Sequence, residues 1–75
     1  MKKTACRDAA IKIMSDGSQH TPEEIASAAG MLRPSAVSML NFFVRESLAS
    51  KDGQNYRLTD LGMTVAIEWG HSERQ

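Results

Sequence analysis

Cysteine is nearly absent from this chain. The one that occurs, Cys6, can form neither an intramolecular disulfide nor a cysteine-rich zinc site, and a reducing compartment, the cytoplasm, is the expectation that follows. Long hydrophobic runs are missing too. No apolar stretch of signal-peptide type follows Lys2 and Lys3, and no segment approaches the roughly 20 apolar residues of a membrane span, so neither export nor insertion into a bilayer is expected. His20 and His71 lack partners at metal-ligand spacing, so both are read as solvated loop histidines and no metal is expected. The parts of a catalytic site are also lacking: there is no nucleophile with a matching base, no close carboxylate pair and no phosphate-cradling glycine loop. Neither a cofactor nor an enzymatic activity is expected.

An excess of one charge sign is lacking as well. Nine basic residues balance nine acidic ones, so any attraction to a polyanion must be local. Residues 1–20 carry Lys2, Lys3, Arg7 and Lys12 against Asp8 and Asp16, and residues 33–57 carry Arg33, Arg45, Lys51 and Arg57 against Glu46 and Asp52, a net +2 in each stretch. The compensating acids Glu23, Glu24, Asp60, Glu68 and Glu73 lie outside them.

What is present is an ordinary globular composition, 41% hydrophobic and 24% charged, in 75 residues. A chain this short buries only about 60% of the surface its unfolded form exposes, so a single domain over 1–75 is expected, with its core at about 4–69 and a polar tail at 70–75. From Thr4 to Met14 helix formers predominate, with Cys6, Ala10, Ile13 and Met14 as the expected buried stripe, before the turn residues Ser15-Asp16-Gly17-Ser18. Thr21-Pro22-Glu23-Glu24 reads as a helix start with a capping threonine, proline at the first position and a capping box closed by Glu24. That second helix spans about 21–29, with Ile25, Ala28 and Ala29 as its stripe and Gly30 at its end.

A longer helix follows from Arg33-Pro34-Ser35 to near Glu46. Ala36, Met39, Leu40 and Phe43 fall on one side and Ser38, Asn41 and Arg45 on the other, with Val37, Phe42 and Val44 on the flanks. Leu48 to Lys51 reads as a strand, Asp52-Gly53 as a tight turn, and Gln54 to Leu58 as the returning strand with Tyr56 and Leu58 on one face. Thr59-Asp60 then caps a last helix, with Leu61, Val65 and Trp69 on one side and Met63 and Ile67 on another.

Helix, short helix, glycine turn, longer helix, hairpin, helix: this order, with Thr21-Pro22-Glu23-Glu24-Ile25-Ala26, Gly30 and Arg33-Pro34-Ser35-Ala36-Val37-Ser38, resembles a winged helix-turn-helix. The stretch Tyr56-Arg57-Leu58-Thr59-Asp60-Leu61-Gly62 is similar to the Tyr-x-Leu-Thr-x-x-Gly ending of MarR-like bacterial regulators. The resemblance implies a mainly helical fold with a three-helix core, a wing and a C-terminal helix. It also implies a small, sequence-specific regulator of bacterial or phage type that binds double-stranded DNA with its third helix, about 34–46, in the major groove. On that resemblance Arg33, Ser35, Ser38, Asn41 and Arg45 face the groove with Phe42 at its edge. Arg45 suits guanine and Asn41 adenine. Thr21 approaches phosphate at the second helix's N-terminus, and Lys51, Asn55 and Arg57 of the hairpin flank the backbone.

Three features depart from the pattern: Ser47 stands where a glycine usually ends the third helix, Asp52 sits at the tip of a short wing, and the third helix has few basic residues. A homodimer with Met63 and Ile67 as contacts is the corresponding expectation for assembly. The alternative is a winged-helix module that contacts a protein partner through Val37, Phe42, Met63 and Ile67 without binding DNA. Cys6 is read as a small buried hydrophobe of the first helix.

Overall fold

The computed structural model describes residues 1–71, so residues 72–75 of the expected polar tail, Glu73 among them, lie outside the described residues. Three helices come first: α1 over Ala5–Met14, α2 over Pro22–Ala29 and α3 over Arg33–Arg45. A two-stranded antiparallel hairpin follows, β1 over Ala49–Asp52 and β2 over Asn55–Leu58, and α4 closes the order over Asp60–Glu68. The longest extent of the chain is 33 Å. No helix among the described residues is long and apolar enough to cross a membrane.

Local chemistry sets the helix ends. Threonines cap three starts: Thr4 accepts from the Arg7 N–H, Thr21 from the Glu24 N–H and Thr59 from the Gly62 N–H, each at 3.2 Å. The ends of α2, α3 and α4 close alike, with a residue in the left-handed region followed by an N–H that reaches back to the carbonyl five residues earlier: Met31 to Ala26, Leu48 to Phe43 and His71 to Ala66. Gly30 and Gly70 fill two of the left-handed positions. Ser47 fills the third at φ 63°, and it alone among the described non-glycine residues has positive φ. The expected glycine substitution is thus absorbed without disturbing the helix-to-strand joint.

The core is shared by all elements. Ile11 and Met14 of α1, Ile25 of α2, Leu40 and Phe43 of α3 and Tyr56 of β2 are its large, wholly buried side chains. Several expected faces are corrected. In α1 the buried face is turned toward Ile11, and the first turn overhangs the core, so Cys6 is exposed rather than buried. In α2 Ala26 is buried in place of Ala28, which is exposed. Glu24 does not complete a capping box; its carboxylate lies 3.0 Å from the His20 ring.

The hairpin register pairs Ala49 with Leu58 and Asp52 with Asn55, so the two-residue turn is Gly53-Gln54 rather than Asp52-Gly53. Positive φ at Gly53 alone matches a II′ turn, whose first loop position favours glycine. Tyr56 and Leu58 share the buried face as expected. A further antiparallel bridge, with two 2.8 Å hydrogen bonds, joins His20 to Tyr56 and flanks β2 on its free side.

Gly62 decides how α4 sits. A Cβ there would lie 2.0 Å from the Leu48 carbonyl oxygen and 2.9 Å from Leu58 Cδ2, so the helix approaches the start of the hairpin closer than any side chain permits. The line of Gly62 and Ala66 therefore faces inward, with Met63, Val65 and Trp69 packed on its flanks, while Leu61 is left 51% and Ile67 44% exposed. The expected split of Leu61 with Val65 and Trp69, against Met63 with Ile67, is corrected: Met63 belongs to the packed side and Leu61 to the outside. Expected stability of Gly62→Ala is lower by at least the ~1–3 kcal/mol of an overpacked core site, because a backbone carbonyl cannot yield as a side-chain tip would; the midpoint of urea unfolding measures it.

His71 ends α4 against α1. Its ring bonds the Asp8 carboxylate, and its carbonyl accepts from the Ser15 hydroxyl at 3.2 Å. It is therefore a partnered residue, not the solvated one expected. The hydrogen bond from His71, helped by the charges of His71 and Lys3, holds the Asp8 carboxyl below its usual range against the opposing effect of burial. A carboxyl depressed in the folded chain stabilises fully at neutral pH and loses that contribution as pH falls through the depressed value. Asp8→Asn should accordingly lower the urea midpoint near about pH 7, yet lose less further stability than the wild type on acidification to about pH 3. An equal loss in both proteins would count against the pairing.

Candidate nucleic-acid interface

The third helix carries two arginines and no acid between its ends, so its outer side is cationic although the chain as a whole is neutral. Ala36, Leu40 and Phe43 hold its inner side in the core, which leaves Arg33, Ser35, Ser38 and Arg45 exposed. Asn41 and Phe42 are half-buried on its flanks.

One flank of α3 faces the hairpin. Arg33 and Val37 of α3, Pro22 at the start of α2, and Lys51, Gln54 and Tyr56 of the hairpin line a cleft of about 160 Å³. Lys51 Nζ stands 5.6 Å from the centre of the Tyr56 ring, within range of a cation–π contact. Farther along this flank the Tyr56 hydroxyl donates to Asn41 Oδ1 at 2.9 Å. Two acids sit in the first turn of α2, where they would repel an anion, but both have partners. Glu23 accepts from Arg33 Nε at 3.0 Å, and Glu24 lies 3.0 Å from His20 Nδ1. Thr21 spends its hydroxyl oxygen on the α2 cap, which leaves its hydroxyl proton as a donor.

The other flank of α3 faces the start of α1. Arg7 places its guanidinium carbon 4.5 Å from the centre of the Phe42 ring, and that of Arg45 lies 5.9 Å from the same ring. Phe42 is thus a shared platform for two guanidinium groups. Arg7 also donates to the Lys2 carbonyl at 2.9 Å, and no carboxylate among the described residues lies within bonding reach of Arg7 or Arg45. A cleft of about 320 Å³ opens beside this cluster, lined by Arg7, Ser38, Met39, Phe42 and the exposed Cys6 among others.

The structure separates the residues singled out from sequence, and Asn41, bonded to the Tyr56 hydroxyl on the hairpin flank, leaves the open side it was expected to share with Ser38 and Arg45. Arg33 and Lys51 meet at the hairpin cleft, whose lining includes Pro22, the residue after the capping Thr21. Ser38, Phe42 and Arg45 lie on the α1 side, and Ser35 is exposed between the two at the start of α3. Arg57 pairs across the hairpin with Ser50 and points opposite to Tyr56 and Leu58, while half-buried Asn55 pairs with Asp52 beside the turn. Neither lines the cleft. Arg7 and Tyr56 were not among those residues. Arg7 counted only as basic charge, and no spacing in the sequence joins it to Phe42. Tyr56 read only as a buried strand residue, although a tyrosine on the apolar face of a strand needs a partner for its hydroxyl.

His20 is likewise not a free loop residue. Its ring, with 13% of the side chain exposed, lies 3.0 Å from Asp16 and from Glu24 and 3.1 Å from the Ser18 hydroxyl. Partial burial pushes the Asp16 carboxyl up, but hydrogen bonds from the Ser18 N–H and from His20 outweigh it, and the group rests below its usual range. No group of three or more potential metal ligands occurs among the described residues.

A short helix and a longer one joined by a glycine turn, then a hairpin beside the longer helix, define a winged helix-turn-helix fold. Solved structures share it. Ligand-free NadR superposes with a TM-score of 0.80 at 22% identity over 89% of this chain and 51% of its own. The MarR family transcriptional regulator SPO1453 from Silicibacter pomeroyi DSS-3 gives 0.82 at 15% identity over 88% and 50%. An O-methyltransferase family protein from Burkholderia thailandensis gives 0.65 at 28% identity over 76% of this chain but only 17% of its own. The chain spans about half the length of the first two. No protein-family model and no curated protein matches it. The likeness establishes a winged-helix fold.

Proposed function

We propose that this chain is a non-enzymatic regulator that binds double-stranded DNA, with α3 in the major groove. The supporting observation is the acid-free outer side of α3, which carries exposed Arg33, Ser35, Ser38 and Arg45 and is extended by Lys51 on one flank and Arg7 on the other. Arg45 and Ser38 meet base edges. Arg33 and Lys51, which border the hairpin cleft, meet a backbone phosphate, and the Thr21 hydroxyl donates to the same strand. Arg57 and Asn55 serve as outer backbone contacts of the hairpin. A protein acting on chromosomal DNA would work in the cytoplasm. The fold neighbour from Silicibacter pomeroyi, by name a transcriptional regulator, agrees with this role.

A homodimer completes the proposal, since two copies related by a two-fold axis would place two α3 helices on successive turns of the duplex. Ile67 is the exposed contact on α4 and is joined by Leu61, with Met63 at the rim because most of its packing is inward. These exposed apolar residues also support the second reading, a module that docks on a protein partner, where Val37 and Phe42 would add to Ile67 and Met63.

Salt separates the two. Binding to a mixed population of duplexes, followed by gel shift, should weaken steeply as salt rises, because each neutralised phosphate releases condensed counterion. An absence of binding at low salt would leave only the protein-docking reading. Arg45→Ala should weaken binding by about 1–3 kcal/mol, roughly five- to 150-fold, and leave unfolding within about 0.5 kcal/mol of wild type, because the side chain is exposed. Unchanged affinity would remove α3 as the reading element.

A further inference from the structure

Asn41 is the one uncharged polar residue of α3 whose side chain hydrogen-bonds to another element among the described residues. Its Oδ1 accepts from the hydroxyl of Tyr56, a residue only 2% exposed. Burying a phenol without an acceptor is costly, and the Asn41 carbonyl is the acceptor within reach, which fixes the amide with its oxygen inward. Tyr56 cannot swing away to release it. Its N–H and carbonyl are both bonded to His20 at 2.8 Å, and it pairs with Lys51 on the other side of the strand. The amide nitrogen of Asn41 has no protein partner among the described residues. No buried side-chain nitrogen or oxygen there lacks one, so that nitrogen reaches solvent.

An amide held this way has its oxygen turned toward Tyr56 and its two N–H donors free for the groove. Adenine recognition requires one amide to accept from N6 and donate to N7 together, whereas guanine presents two neighbouring acceptors, O6 and N7. We infer that Asn41, oriented by Tyr56, reads guanine rather than the adenine that a free asparagine would favour. Tyr56 acts as a positioning residue and touches no base. The inference rests on the reading that α3 enters the major groove, and it adds the identity of one base.

Selection of wild-type, Asn41→Asp and Tyr56→Phe proteins on a library of randomised duplexes tests it, with thermal melts to establish that each variant is folded. The wild type should enrich a site with guanine at one position, favoured over adenine by about tenfold. Asn41→Asp keeps an acceptor for Tyr56 but offers the groove no donor, so that position alone should change to cytosine, whose N4 amine donates. Tyr56→Phe frees the oxygen, and adenine should rise to within about threefold of guanine there. Adenine preferred by the wild type at the position that Asn41→Asp alters, or a guanine-to-adenine ratio unmoved by Tyr56→Phe, would overturn the inference and leave DNA binding standing. So would a site in which no position responds to Asn41→Asp. A wild type that retains no duplex at low salt would overturn the DNA reading itself, and this inference with it.

Discussion

The Leu48 carbonyl is the joint on which the arrangement depends. It accepts from the Thr59 N–H at 3.0 Å, and α4 passes so close to it that only a glycine fits at position 62. Thr59 serves both sides of this joint, since its hydroxyl donates to the Ser47 carbonyl at 2.6 Å while its oxygen caps α4. The end of α3, the start of the hairpin and the start of α4 are therefore fixed by one small cluster of backbone groups. From that joint β2 runs back along the domain and carries Tyr56 to Asn41. The run Tyr56-x-Leu58-Thr59-x-x-Gly62 is thus explained by packing alone: a hydroxyl anchor, a core leucine, a cap and a close approach. None of these four residues needs to touch DNA for the motif to be required.

Charge is arranged by pairing rather than by excess. The acids that would oppose a phosphate at the start of α2 are each matched, Glu23 by Arg33 and Glu24 by His20, whereas Arg7 and Arg45 have no carboxylate partner among the described residues and gather around Phe42. Exposed ion pairs of this kind add little stability. Their effect here is on the local field: the acids nearest α3 are paired, and the guanidinium groups of Arg7 and Arg45 lie 4.5 and 5.9 Å from the centre of the half-buried Phe42 ring.

Much of the fold was legible in the sequence because its signals are local. Thr21-Pro22 and Gly30 mark both ends of α2, Thr59 marks the start of α4, and the alternation of Tyr56 and Leu58 marks the buried strand face; each depends on neighbours within a few residues. The misreadings share the opposite cause. Cys6 lies outside the core because the first turn of α1 overhangs it, Leu61 is turned out because Gly62 is pressed against Leu48, and Ala28 yields to Ala26 through the way α2 crosses α3. Glu24 leaves its own helix cap because His20, brought in by the bridge to Tyr56, competes for it. Periodicity shows that a helix has an apolar side but not how far neighbouring elements rotate it. Of the exposed residues of the candidate surface, Ser38 and Arg45 follow from that periodicity and Arg33 and Ser35 from the resemblance, whereas Asn41, which periodicity put beside Ser38 and Arg45, is half-buried against Tyr56. The ties of Asn41 to Tyr56 and of Phe42 to Arg7 join residues 15 and 35 positions apart, and no local pattern encodes them.

The 33 Å length of the chain sets a scale for any DNA it occupies. One turn of duplex rises about 34–36 Å, so a single copy laid along the helix axis shields no more than about ten base pairs, and each four-residue strand of the wing extends only about 13 Å. A target of ordinary genomic rarity is longer than one such footprint. On the proposed reading, two copies bound to one site would add the spacing between them to what each chain selects.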